Sequence, residues 1–163
     1  MIRGLLIAAL FAGAAQANGF EFSPEATDSC TVTADDPMSC VMASANDCMS
    51  GNPGGSSTAG MMRCISLEYD YWDARLNAAY QLALQEAEAA DEEAKTYGYT
   101  PPKLAEPLRA MQRAWIPFRD ATCAFERAKW GGGTGGGPAS AACLVQETAR
   151  QTFELERGVR LTR

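Results

Sequence analysis

Six cysteines, Cys30, Cys40, Cys48, Cys64, Cys123 and Cys143, constrain this chain more than any other feature. Their number is even, and no two form a Cys-x-x-Cys pair. No His occurs among the 163 residues. Thioredoxin-like exchange and the common Cys/His zinc sites are excluded together. Ser-His-Asp and Cys-His nucleophile systems fall with them, because both need an imidazole base. An even set of cysteines with none of these uses reads as three disulfides, provided the chain leaves the reducing cytoplasm.

The N-terminus meets that condition. Arg3 supplies a positive start, Leu5 to Ala14 is an apolar run, and Ala15-Gln16-Ala17 is a small-x-small cleavage pattern. Residues 1–17 therefore read as a secretory signal peptide cleaved after Ala17. The apolar run is about half the ~20 residues needed to cross a bilayer. Asn18, not Cys, follows the cut, which leaves no lipid-attachment site. The mature chain is expected in the periplasm or outside the cell, without membrane insertion. Residues 1–17 carry one Arg and no acid, so 13 of the 14 basic side chains remain against 20 acidic ones, a net charge of −7. That excess disfavours nucleic acid, whose binding rests on phosphate neutralisation. It suits a basic protein partner by electrostatic steering, or serves solubility alone.

Glycine and proline divide the mature chain into helical blocks. Residues 18–33 look irregular. Ala34 to Met49 can form a helix, with Asp35, Asp36 and Pro37 suited to its first turn. Gly51 to Thr58 breaks it. From Ala59 to Lys95, apolar groups at Ile65, Tyr69, Trp72, Leu76, Ala79, Ala83 and Ala87 mark one face of a long helix. Its Ala- and Glu-rich far end is expected to project into solvent. After Tyr97 to Pro102, Leu104, Leu108, Met111, Trp115, Phe118, Thr122 and Phe125 alternate at four and three residues. Such a stripe is expected to pack as a core seam along a neighbouring helix, with an exposed binding ridge as the alternative. Pro107 fits the first turn of that helix, and Pro117 is expected to kink it. Gly131 to Pro138 reads as a loop, and a last helix runs from about Ala139 to Arg157. No stretch alternates in the manner of a strand. The fold expected is all-α, a small antiparallel bundle of three to four helices cross-linked by disulfides.

Helix hairpins then suggest the pairing. Cys48 and Cys64 flank one glycine-rich turn, and Cys123 and Cys143 flank the other. Cys30 and Cys40 remain and close a short local loop.

One set of residues carries a family resemblance. It comprises Cys64 with Asp73, Leu76-Asn77 and Tyr80; then Gln112-Arg113-Ala114-Trp115 and Phe118-Arg119-Asp120-Ala121 with Cys123; then Cys143-Leu144, Thr148 and Leu155. Over roughly residues 48–156 this order resembles the lysozyme inhibitor LprI-like domain. The resemblance implies an N-terminal extension over 18–47, the helical domain over 48–157, and a short tail at 158–163. It also implies an exported binding protein whose founding member inhibits lysozyme. Gln151 stands where the family often has Arg, and Pro117 is unusual in its segment.

The motif residues suggest their own geometry. Asp73, Asn77 and Tyr80 share one helix face, and Gln112, Trp115 and Arg119 share another. If those helices pack antiparallel, Arg119 could pair with Asp73 or Asp70 while Trp115 stacks on its guanidinium. A structural seam is the reading favoured. A recognition patch of Trp115, Arg119, Asp120, Asp73, Asn77 and Tyr80 is the functional alternative. General acid/base work by Asp73 and Asp120 ranks last, because a three-helix packing seldom provides the cleft it needs. No cofactor, metal or catalytic residue is expected. The function expected is inhibition of a lysozyme or binding of another basic protein, with an envelope scaffold role as the alternative. The two glycine loops are candidate plugs for a lysozyme cleft, or inert linkers.

Overall fold

A computed structural model of the chain describes residues 19–96, 98 and 100–158. The signal peptide expected over 1–17 and nearly all of the expected tail lie outside the described residues. Five α-helices follow in order: α1 Glu25–Thr33, α2 Ala43–Gly51, α3 Thr58–Glu93, α4 Ala105–Ala128 and α5 Gly136–Glu156. Short 3-10 turns occupy Pro37–Cys40 and Ala94–Thr96, and no strand occurs among the described residues.

α3 is the spine. Its 36 residues extend about 54 Å at 1.5 Å per residue. Ser57 caps its start, the hydroxyl accepting from Gly60 N at 3.0 Å. The apolar face expected from the sequence is the one buried: Ile65, Trp72, Leu76, Ala79, Ala83 and Ala87. α4 returns antiparallel to α3, and α5 runs back beside both, packing most extensively on α3. Two apolar clusters result. Ile65 and Trp72 meet Val145 and Ala149 of α5 and Ala45 of α2. Leu76, Ala79 and Ala83 meet Leu155, edged by Tyr80, Leu108 and Trp115.

All three disulfides pair as the hairpin argument requires: Cys30–Cys40, Cys48–Cys64 and Cys123–Cys143. Each glycine-rich stretch has crowded points where only a glycine fits, beside glycines such as Gly51, Gly54, Gly131 and Gly132 that face open space. A Cβ on Gly60 would stand 2.1 Å from Gly54 O, and one on Gly135 would stand 2.2 Å from the Trp130 ring. α5 therefore starts at Gly136, three residues before the expected Ala139, within the stretch read as loop.

Three other expectations need correction. The segment read as irregular contains α1, and the helix expected over Ala34–Met49 is a 3-10 turn followed by α2. Met42 interrupts it with φ 81°, and tertiary contacts hold both short pieces. The far end of α3 does not project freely. Ala83 and Ala87 are buried, and the Asp91 carboxylate accepts from the backbone N–H of Leu104 and Ala105 at 2.8 and 3.1 Å, capping α4. Finally, the four-three stripe of α4 is not a core seam throughout. Leu108, Trp115 and Thr122 are half-buried, whereas Met111, Phe118 and Phe125 face solvent. The helix meets α5 through Gln112 and the fully buried Cys123, on a line rotated away from the apolar stripe. α4 continues through Pro117 without a break.

Candidate functional site

The seam between α3 and α4 gathers several of the singled-out residues. Arg119 lies over the Trp115 ring, its guanidinium carbon 5.0 Å from the ring centroid, as expected. Its charged partner differs from the expectation. Arg119 donates to Asp120 Oδ1 at 2.9 and 2.8 Å and to the Tyr69 hydroxyl at 3.3 Å. No ion pair joins it to Asp73 or Asp70 among the described residues. Asp73 instead accepts from Asn77 Nδ2, one turn on, at 3.1 Å. The aromatic stack directs the Arg119 head toward Tyr69, and the sequence neighbour Asp120 is close enough to take the charge. The Arg119 side chain is 13% exposed and that of Asp120 56%. Trp115 and Tyr80 edge the second apolar cluster. Gln151 donates to Gln112 Oε1 at 3.0 Å, tying α5 to α4.

The six candidates thus form two groups. Trp115 and Arg119 lock the helix seam, with Asp120 at its exposed rim. Asp73 and Asn77 form a separate pair along α3, and Tyr80 packs into the cluster below. Asp73 and Asp120 each carry a different partner, Asn77 and Arg119. No group of three or more His, Cys, Asp or Glu side chains that could hold a metal occurs among the described residues.

The most highly connected polar group escaped the sequence reading. Glu68 is wholly buried on α3. Its carboxylate accepts from Met42 N at 2.8 Å, Ala45 N at 2.6 Å, Trp72 Nε1 at 3.1 Å and Thr27 Oγ1 at 3.1 Å. α2 has no side-chain cap of its own, so an acid from another helix satisfies its orphan N–H groups. Thr27 and Ser44 complete the device. Ser44 N donates to Thr27 Oγ1 at 3.1 Å, and Thr27 N donates to Ser44 Oγ at 3.0 Å. Each of the first two helices thereby caps the start of the other. The signal was a Glu at an inward position of the α3 stripe, between Ile65 and Trp72.

A second polar cluster spans α1, α3 and α5. Arg75 donates to both Glu156 oxygens, at 2.6 and 2.9 Å, and to the Tyr71 hydroxyl at 3.1 Å, while Tyr71 donates to Asp28. The Glu156 hydrogen bonds raise the pKa of Arg75 and hold it charged. Burial, then the Asp28 bond, raises that of Tyr71. Arg75 also lies over the Trp72 and Phe153 rings, at 5.1 and 5.4 Å. These contacts make a strut, not a reactive constellation.

Comparison with known proteins bears directly on this body. A family model described as "Lysozyme inhibitor LprI" matches residues 48–155, most of the described chain. The chain belongs to the LprI lysozyme inhibitor family. The match takes in α3, α4, α5 and the disulfides Cys48–Cys64 and Cys123–Cys143. The α1 layer and Cys30–Cys40 precede it. An uncharacterised protein of Rhizobium meliloti (strain 1021) is 31% identical over 93 residues, covering 57% of this chain and 67% of that protein. No solved structure matches. The LprI family is one of inhibitors, not enzymes, and no helix among the described residues is long and apolar enough to cross a membrane.

Proposed function

We propose that this protein is exported to the periplasm or beyond and inhibits a lysozyme by binding it. The observation that carries this reading is the LprI family match across the whole α3–α4–α5 body. The charge balance supports it: an acidic domain is steered toward basic proteins, which many lysozymes are. The disulfides suit an oxidising compartment, as does an N-terminal signal peptide ending at Ala17. The recognition patch proposed is the exposed rim of the α3–α4 seam, with Asp120, Asp73 and Asn77 presented over the support of Trp115, Arg119 and Tyr80. Its acidic groups would approach a basic lysozyme surface beside the two-carboxylate cleft.

The test is a cell-wall lysis assay with lysozymes of several structural types, paired with calorimetry. Inhibition at micromolar protein that is lost in Asp73→Lys/Asp120→Lys, with the melting temperature kept, supports both the function and the patch. Absence of both inhibition and binding across the panel sinks the inhibitor reading. A scaffold role with another envelope protein is the second reading, favoured by the α1 layer and its Cys30–Cys40 bridge, which precede the family match. A cross-linked non-lysozyme partner, released by substitutions in that layer, would support it.

A further inference from the structure

The three disulfides do not sit alike. Cys48–Cys64 and Cys123–Cys143 staple the α2–α3 and α4–α5 hairpins, and all four of their cysteines are buried. Cys30–Cys40 ties α1 to the 3-10 turn Pro37–Cys40. Cys40 is buried as well, but Cys30 is only half-buried, the one cysteine of the six outside the interior. Thiol–disulfide exchange requires an attacking thiolate to reach a sulfur. Of the three bridges, Cys30–Cys40 is the one with an approachable side.

The helix on that side has little else to hold it. Thr27 is the only buried residue of α1, and Val32 near its end is 84% exposed. No α1 side chain belongs to the two apolar clusters among the described residues. Its non-covalent hold is polar: the reciprocal Thr27–Ser44 caps, the Thr27 hydroxyl on Glu68, and Tyr71 on Asp28. A helix of nine residues is too short to persist by itself in water. The Cys40 side is fixed independently. Asp36 Oδ1 accepts from Met38 N at 3.0 Å to cap the turn, and Met38, Val41 and Met42 pack against the Ile65–Trp72 cluster. Without α1, Glu68 loses the Thr27 hydroxyl but keeps Met42 N, Ala45 N and Trp72 Nε1 as donors. α1 can therefore leave without unfastening α2 from α3.

We propose that α1 is a redox-released cover: a dithiol reduces Cys30–Cys40, and α1 leaves α2 while the α3–α4–α5 body stays folded. One thiolate of the dithiol attacks the Cys30 sulfur, forms a mixed disulfide and expels the Cys40 thiolate, which takes up a proton. The second thiolate attacks the dithiol sulfur of that mixed disulfide, closing the dithiol into its own disulfide and releasing Cys30, which is protonated in turn. Two electrons and two protons pass from the dithiol to the cysteine pair. The proposal does not rest on lysozyme binding, and its test uses no lysozyme.

Graded dithiothreitol on the native protein, followed by alkylation and mass mapping of each cysteine, reads the order of reduction. Cys30 and Cys40 are expected to be labelled before any of the other four. In that state the α1 amides should exchange at the rate of an unstructured chain, while those of α3, α4 and α5 keep their protection. Glutathione disulfide should then restore the α1 protection. Cys30→Ser/Cys40→Ser should show the same fast exchange in α1 with no reductant and an intact α3–α4–α5 body. Simultaneous reduction of all three bridges overturns the proposal, as does prior reduction of either hairpin staple. So does an α1 that stays protected after Cys30 and Cys40 are labelled, or that fails to close again on oxidation. A double-serine variant that does not fold overturns it too, because α1 would then be holding the body together.

Discussion

The two halves of α3 solve the same packing problem in different ways. Its first half buries large groups, Ile65, Glu68 and Trp72, under α1, α2 and α5. Its second half buries alanines at 79, 83 and 87, and meets α4 with a carboxylate at the helix start. The first half is held by a disulfide, a buried acid and a Trp. The second relies on close approach of small side chains and on exposed polar contacts such as Arg109–Glu88. A long helix can thus anchor a polar, covalently stapled layer at one end and a lightly fastened hairpin at the other. The first end should be brittle to single substitutions and the second tolerant of them.

The largest effect is expected at Glu68. Glu68→Ala removes the acceptor of two backbone N–H groups, the Trp72 indole and the Thr27 hydroxyl at once, leaving buried donors unsatisfied. At about 1–3 kcal/mol for each buried group left unpaired, and allowing for partial relaxation, the loss should be about 3–5 kcal/mol. Urea unfolding measures it. A loss under about 1 kcal/mol would show that the carboxylate is not what holds α2 to α3. Next comes the Cys48–Cys64 bridge, which spans 16 residues at the same end. Its removal by Cys48→Ala/Cys64→Ala should cost about 3 kcal/mol on the loop-entropy estimate. An unchanged melting temperature would mean that the close approach of Gly60 to the Gly54 and Gly55 backbone holds the hairpin without it.

At the other end the expected effects are smaller and of another kind. Ala83→Leu adds volume where neighbouring helices approach closely, and overpacking of this sort costs about 1–3 kcal/mol. The same substitution at exposed Ala89 is the control and should be near neutral. Equal effects at both sites would show that the alanine face is not closely packed.

The sequence was most informative where a periodic signal and a covalent constraint coincided. The α3 stripe, the glycine breaks and the cysteine positions each pointed to the same three-helix body, and the pairing of all six cysteines followed from two hairpins. It was least informative where tertiary contacts decide. α1 is rich in Thr and Ser and has weak helical propensity; Ser44 and the Cys30–Cys40 bridge hold it. A Glu inside an apolar stripe is ordinarily a boundary or an error, and nothing local shows that it caps a helix 23 residues earlier in sequence. The α4 stripe was visible, but periodicity gives a face without naming its neighbour. Cys123 rotated that face partly into solvent. Arg119 shows the same limit: its stack on Trp115 was legible from their spacing, whereas its partner depended on where the guanidinium emerged.

The smallest effect concerns the hinge between the two long helices. Asp91 accepts from two N–H groups at the start of α4, and these hydrogen bonds hold its carboxyl below the usual range. A carboxyl lowered in the folded state adds stability that is present above its unfolded value and fades as pH falls through the folded one. The group is half-buried at the surface, so water and salt still screen part of its effect. The expected signature is therefore local. Protection of the first-turn amides of α4, taken relative to their intrinsic exchange rate at each pH, should fall as the solution is acidified below the ordinary carboxylate range, before that of the core amides. Asp91→Asn should show fast exchange there at neutral pH and lose the acid dependence, while the Glu68 end of α3 stays protected in both proteins. Should that turn keep its protection through acid in the wild-type chain, the far end of α3 is fastened by its alanines alone, and the contrast between the two halves narrows to packing.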